Sequence, residues 1–106
     1  MKVNVKPLSI NEAFQGRRFN SIKYKAYEKE CLLKLRPFKF PQGPVSITLI
    51  VGYSNKANDI DNSIKPILDI LQKKYTFNDK DVYELHVYKV IVKKGEEFWQ
   101  FDARPI

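Results

Sequence analysis

Two stretches of the chain alternate apolar and polar residues, and two others repeat apolar residues every three or four positions. Val45, Ile47, Leu49, Val51 and Tyr53 share one face of a strand over 45–53. Residues 82–92 read as a second, longer strand, and Lys94-Gly95 as a hairpin turn into a strand over 97–101. Between residues 21 and 36, Tyr24, Tyr27, Cys31 and Leu35 form one helical stripe, widened by Ile22, Leu32 and Leu33. Ser21 is placed to cap that helix and Pro37 to end it. Ile60, Ile64, Ile67, Leu68, Leu71 and Tyr75 form the second helical stripe, with Pro66 tolerated near the helix start. Residues 2–6 suit a short strand that Pro7 stops, and residues 9–20 lack periodicity and read as a basic loop. The order is β-α-β-α-β-β. It predicts an α+β fold in one domain spanning 1–106, with two helices packed on a mixed or antiparallel sheet.

Composition narrows the classes. A chain of 106 residues with 43% apolar content can bury one core and is no disordered tail. No apolar run approaches the roughly 20 residues of a membrane span, and the N-terminus lacks a signal-peptide core, so the expectation is a cytoplasmic protein without membrane contact. With one cysteine, Cys31, and one histidine, His86, the chain can form neither an internal disulfide nor a His/Cys zinc site. Any Ser-His-Asp or Cys-His enzyme would have to use His86. The net charge of +7 is segregated: residues 1–53 hold ten basic and three acidic groups, and residues 54–106 hold nine of each. Such an imbalance suits a polyanionic partner on one side and a use for carboxylates on the other.

Three acids stand out: Asp59, Asp61 and Asp79. Asp59 and Asp61 lie at a strand–loop–helix junction, where two carboxylates can converge or one can cap the helix. Asp79 lies in the turn before the next strand, and both sites can meet at one edge of the sheet. Carboxylates without histidine or thiolate make a hard-oxygen site suited to Mg²⁺ or Mn²⁺. Beside a basic surface that site fits metal-assisted phosphodiester hydrolysis. Lys65, one turn after Asp61 and one before Asp69, completes an acid–lysine–acid stripe. It can hold a phosphate or simply make ordinary i,i+4 ion pairs.

The run Asp59-Ile-Asp-Asn-Ser-Ile-Lys-Pro-Ile-Leu-Asp-Ile-Leu, followed by Asn78-Asp-Lys-Asp-Val-Tyr-Glu-Leu-His-Val-Tyr-Lys89, resembles the signature of RusA-type crossover-junction endodeoxyribonucleases. The opening Pro7-Leu-Ser-Ile-Asn11, with Lys23-Tyr24 and Tyr27 beyond a basic loop, extends the likeness over nearly the whole chain. The resemblance implies a homodimer that binds four-way DNA (Holliday) junctions in recombination and repair and makes paired nicks with Mg²⁺ or Mn²⁺. By position, Asp59, Asp61 and Asp79 match the metal-binding acids and Lys65 the required lysine, while Asn62 and Asp69 match supporting positions. The family's members are often phage or prophage proteins. Two departures are plain: the segment before Asp59 supplies only Lys56 where the best-known member is arginine-rich, and Asn78 replaces an acid often paired with the third ligand.

Arg17, Arg18, Lys23 and Lys25 are the first candidates for phosphate contacts, with Lys56 at the mouth of the acidic site and Asn11 near its loop. A competing reading is a catalytically silent nucleic-acid-binding module or a small ribosome-targeted toxin, which would bind without metal dependence. Another is a metal nuclease acting on flaps or forks.

Overall fold

A computed structural model describes residues 1–15 and 19–106, with only the backbone of residues 11, 12, 14, 15, 19 and 20. Arg17 and Arg18 lie outside the described residues. The elements are β1 (Lys2–Val3), α1 (Ile10–Ala13), β2 (Phe14–Gln15), β3 (Phe19–Asn20), α2 (Ile22–Lys34), β4 (Val45–Tyr53), α3 (Ile64–Tyr75), β5 (Val82–Ile91) and β6 (Phe98–Pro105). A single 3₁₀ turn, Asp79–Asp81, leads into β5. The expected basic loop over 9–20 therefore contains a turn of helix and a two-strand ribbon, β2 against β3, too short to show in hydrophobic periodicity.

The main sheet has the order β1-β6-β4-β5. β4 runs parallel to β5 and antiparallel to β6, and β1 is antiparallel to β6, so the sheet is mixed, as expected. The parallel pair requires a crossover, which α3 supplies. The expected β5–β6 hairpin does not form. Lys93 to Glu96 does make a turn, with Gly95 at φ 93°, but β4 lies between the two strands that this turn joins. β4 has one fully apolar face and takes the centre, where both of its edges are paired.

The helices cover one face of the sheet. Val45, Ile47, Leu49, Val51 and Tyr53 of β4 join Trp99, Phe101 and Ala103 of β6 beneath Tyr24, Tyr27 and Cys31 of α2 and Ile67, Ile70 and Leu71 of α3. The α2 stripe is narrower than its sequence suggests: Ile22 is 84% and Leu33 78% exposed. Ser21 caps α2 as expected, its hydroxyl accepting from the Tyr24 backbone N–H at 3.0 Å. Leu35 turns to an extended conformation and ends α2 two residues before Pro37. α3 starts at Ile64, later than the stripe implied, so Ile60 belongs to the preceding turn and is exposed. Ion pairing of Lys73 with Glu28 at 2.8 Å and the Tyr75 hydroxyl donating to the Arg36 carbonyl at 2.6 Å tie the two helices together.

Candidate active site

The residues between β4 and α3 fold as consecutive turns rather than as an extended entry to the helix. The Asn62 N–H bonds to the Asp59 carbonyl at 3.1 Å and the Ile64 N–H to the Asp61 carbonyl at 3.3 Å. The helix N-cap is Ser63, whose side chain makes no capping bond; its buried hydroxyl accepts from Tyr53 Oη at 2.9 Å instead. Neither Asp59 nor Asp61 is therefore used as a cap. Both are exposed, and among the described residues their carboxylates take no hydrogen bond or ion pair within the chain. Both lie close enough to Tyr53 that their charges help burial to raise its hydroxyl pKa. This is a pair of carboxylates, held by a backbone turn on a buried Tyr–Ser anchor, that the fold leaves open to solvent.

Two further contacts fix that turn. The Ile10 N–H of α1 bonds to the Asn62 carbonyl at 2.8 Å, so the segment containing Asn11 docks on the acidic turn. Lys89 of β5 donates from Nζ to the Lys56 carbonyl at 2.9 Å and also to the Asn58 carbonyl, gathering the loop that precedes Asp59. The sequence reading gave Lys89 no role, though it carries a signal. Lys89 pairs with Val51 and so lies on the helix-facing side of the sheet, a side otherwise apolar along β4. Beside the turn, Ser9, Tyr53, Ser54, Asn55, Asn58, Asn62 and Glu97 line a polar cleft of about 210 Å³. Ser54 donates to Glu97 at 2.8 Å; a hydrogen bond from Glu97's own backbone, and after it this one, lower the Glu97 pKa.

Basic groups collect at the same end. Tyr24 of α2 senses the charge of Asp69, and Glu28, one turn later, pairs with Lys73, so α2 and α3 run in the same sense. Their N-terminal turns, which carry Lys23, Lys25 and Lys65, therefore lie at the end of the sheet that holds the acidic turn. Helix N-termini add partial positive charge there. Lys65 pairs with Asp69 at 3.5 Å; it makes no ion pair with Asp61. Lys56 is exposed in the loop that Lys89 holds. The side chain of Asn11 lies outside the described residues.

Asp79 is elsewhere. It opens the 3₁₀ turn that precedes β5, on the far side of the twelve residues of α3. That helix alone is about 18 Å long. The register agrees: β4 and β5 begin together at Val45 and Val82 and end together at Tyr53 and Ile91, with Asp79 before the one end and Asp59 after the other. Within one chain the three aspartates do not meet, and among the described residues no three His, Cys, Asp or Glu side chains are grouped to hold a metal ion. Asn78 caps the 3₁₀ turn, its side-chain oxygen accepting from the Lys80 N–H at 3.1 Å.

The remaining nucleophile candidates are eliminated by position. Cys31 is buried in the helix-side core, which pushes its thiol pKa up to about 12, whereas His86 is exposed on β5, 3.8 Å from Glu84. They form no dyad.

The family model for endodeoxyribonuclease RusA matches residues 9–97, which include both the acidic turn and the Asp79 turn. The chain belongs to the RusA family. RusA proteins are junction-resolving endodeoxyribonucleases, and the match begins at Ser9, just before α1 docks on the acidic turn, and ends at Glu97 in the polar cleft. No curated relative matches the chain. No helix among the described residues is long and apolar enough to cross a membrane.

Proposed function

We propose that this RusA-family protein is a homodimeric, Mg²⁺- or Mn²⁺-dependent endonuclease that binds four-way DNA junctions and resolves them by paired nicks. The observation that carries the reading is the exposed Asp59–Asp61 pair, left without an intrachain partner at the end of the fold where Lys23, Lys25 and Lys65 collect. The donor set fits the metal: Mg²⁺ is commonly held by one or two carboxylates, with water and substrate phosphate oxygens completing its shell. Asp59 and Asp61 would hold the ion, which when bound lowers the pKa of a coordinated water and offsets charge at the phosphorus in the transition state.

The protein's own groups supply position. Lys89 and the Tyr53–Ser63 hydrogen bond fix the turn on the rigid sheet. Lys65, restrained by Asp69, presents an ammonium from the first turn of α3 to a backbone phosphate, and Lys23, Lys25 and Lys56 extend the positive surface along the DNA. Phosphate contacts of this kind give affinity without base discrimination, which suits a substrate selected by its branched shape. A four-way junction presents two equivalent scissile positions, and a two-fold dimer offers one acidic site to each. The setting is the cytoplasm of a bacterium, with a chromosomal or a phage origin.

The test is a labelled four-way junction incubated with the protein and Mg²⁺, with and without EDTA, beside three-way and linear duplexes. Symmetric nicking of the four-way junction, abolished by EDTA, is expected. Asp61→Asn should lose more than 100-fold in nicking rate while binding the junction at least as tightly, because it removes negative charge facing DNA. Metal-independent binding without cleavage would instead identify a silent binding module, and equal cutting of all branched substrates a flap or fork nuclease.

A further inference from the structure

We infer that the turn joining β5 to β6, with Lys93 and Lys94 on it, is a second site for the DNA backbone, and that it holds the arm across the branch from the one held by the helix-side lysines. The choice of partner rests on the junction-binding reading; the surface rests on the turn itself. Lys93 and Lys94 are exposed, and among the described residues neither ammonium makes an ion pair or a hydrogen bond within the chain. The turn is tied to the acidic site: the Val92 N–H bonds at 2.8 Å to the carbonyl of Tyr53, whose hydroxyl anchors the acidic turn through Ser63. It is also closed on itself. The Glu96 N–H bonds to the Lys93 carbonyl at 2.9 Å, and the Gly95 N–H donates to the Glu97 carboxylate at 2.8 Å. Glu97 accepts from Ser54 as well and lines the polar cleft with Lys6. One of the turn's two acids thus holds its shape, and Glu96 alone is left beside the two lysines.

The two lysine groups serve opposite faces of the sheet. Val3 and Trp99 pair in register, and both are fully buried beneath the helices. Lys2 and Phe98, each one residue away, therefore point to the uncovered face, where Lys2 Nζ lies 4.4 Å from the Phe98 ring centroid. With Ile91, Val92, Lys93 and Glu96 they line an open hollow of about 470 Å³. Its chemistry suits a DNA backbone: ammonium groups for phosphates, and apolar Ile91, Val92 and Phe98 for deoxyribose. Lys23, Lys25 and Lys65 stand on the helix side, and the acidic turn, which leads from β4 to α3, lies between the two groups. A strand that touches both must turn around the end of the sheet. Duplex DNA, with a persistence length of about 150 base pairs, resists such a bend. At a four-way branch a strand passes from one arm to another without bending a duplex. Contact on both faces therefore favours branched over linear DNA and sets the acidic turn at the branch.

Two readouts test the surface, both without Mg²⁺ so that no cleavage is needed. In the first, affinity for a four-way junction and for a linear duplex of the same arm sequence is measured over a salt series. The double variant Lys93→Ala, Lys94→Ala should lower the slope of log K against log salt by about 2 on the junction and leave the linear duplex unchanged. Glu96→Gln, which removes the acid lining the hollow, should tighten binding of the junction alone. Equal effects on both DNAs, or none on either, overturn the proposal. In the second, Lys94→Cys and Lys25→Cys are each labelled with a maleimide photo-cross-linker, which the buried Cys31 leaves specific. Cross-links to arms on opposite sides of the branch are expected, and cross-links from both positions to one arm overturn the proposal. A wild type that cuts the junction while the turn variants bind it unchanged refutes this proposal alone. A wild type that shows both effects of the turn but does not cut with Mg²⁺ supports it and refutes the nuclease reading.

Discussion

Lys89 and Cys31 show how much a single residue's position decides here. Lys89 stands where the pattern of β4 predicts an apolar side chain, and it uses that place to hold the carbonyls of Lys56 and Asn58. Replacing it with methionine keeps the stem and removes the donor. Because a small misplacement of a reacting group can cost about 100-fold in rate, Lys89→Met should lower junction cleavage by roughly 10- to 100-fold. Junction affinity, read by gel shift, should change much less, which separates positioning from DNA contact. Cys31 is a negative case. Burial raises its pKa to about 12, so at pH 8 almost none is thiolate, the reactive form. An aromatic disulfide reagent should leave it unmodified in native buffer and titrate one thiol per chain in denaturant.

At the scale of elements, β4 organises the molecule, and it depends on a close approach at its C-terminal end. A Cβ on Gly52 would stand 2.5 Å from Cε1 and 2.6 Å from Cδ1 of Phe98, the residue directly across in β6. The Phe98 ring lies against the bare glycine and is covered on its exposed side by the Lys2 ammonium, 4.4 Å from its centroid. Gly52→Ala must displace that ring, at a cost of about 1–3 kcal/mol. A lower urea midpoint at unchanged m value is the expected measurement. The same strand end carries Tyr53 and leads into the acidic turn, so the variant should lose cleavage as well as stability. Ile67→Ala, in α3 and fully buried, should cost about 2–5 kcal/mol with the site otherwise intact.

For the whole molecule, charge distribution matters more than net charge. The +7 total mixes a positive N-terminal half with a neutral one, and the fold sets the lysines of the first turns of α2 and α3 beside two of the acids. Junction affinity should therefore fall steeply with salt. Lys23→Ala and Lys25→Ala should each reduce the slope of log K against log salt by about 1 if each contacts a phosphate, with little effect on which junction arms are cut. A slope unchanged in both variants would place the DNA on another face.

The sequence by itself determined the longer elements, the β4 face, the Ser21 cap and the two acidic segments, because periodicity, capping and turn chemistry are local; the short α1, β2 and β3 escaped it. It also carried enough for the RusA family model to match residues 9–97, a span that includes Asp59, Asp61, Lys65 and Asp79. Only the tertiary structure decided which strands are neighbours. The Lys94-Gly95 turn is legible, but a turn does not say that β4, with both edges hungry for partners, will insert between the strands that it joins. Nor does spacing reveal that α3 holds Asp79 away from Asp59 and Asp61. Helix length and strand polarity fix that separation, and both act over distances that no local pattern encodes.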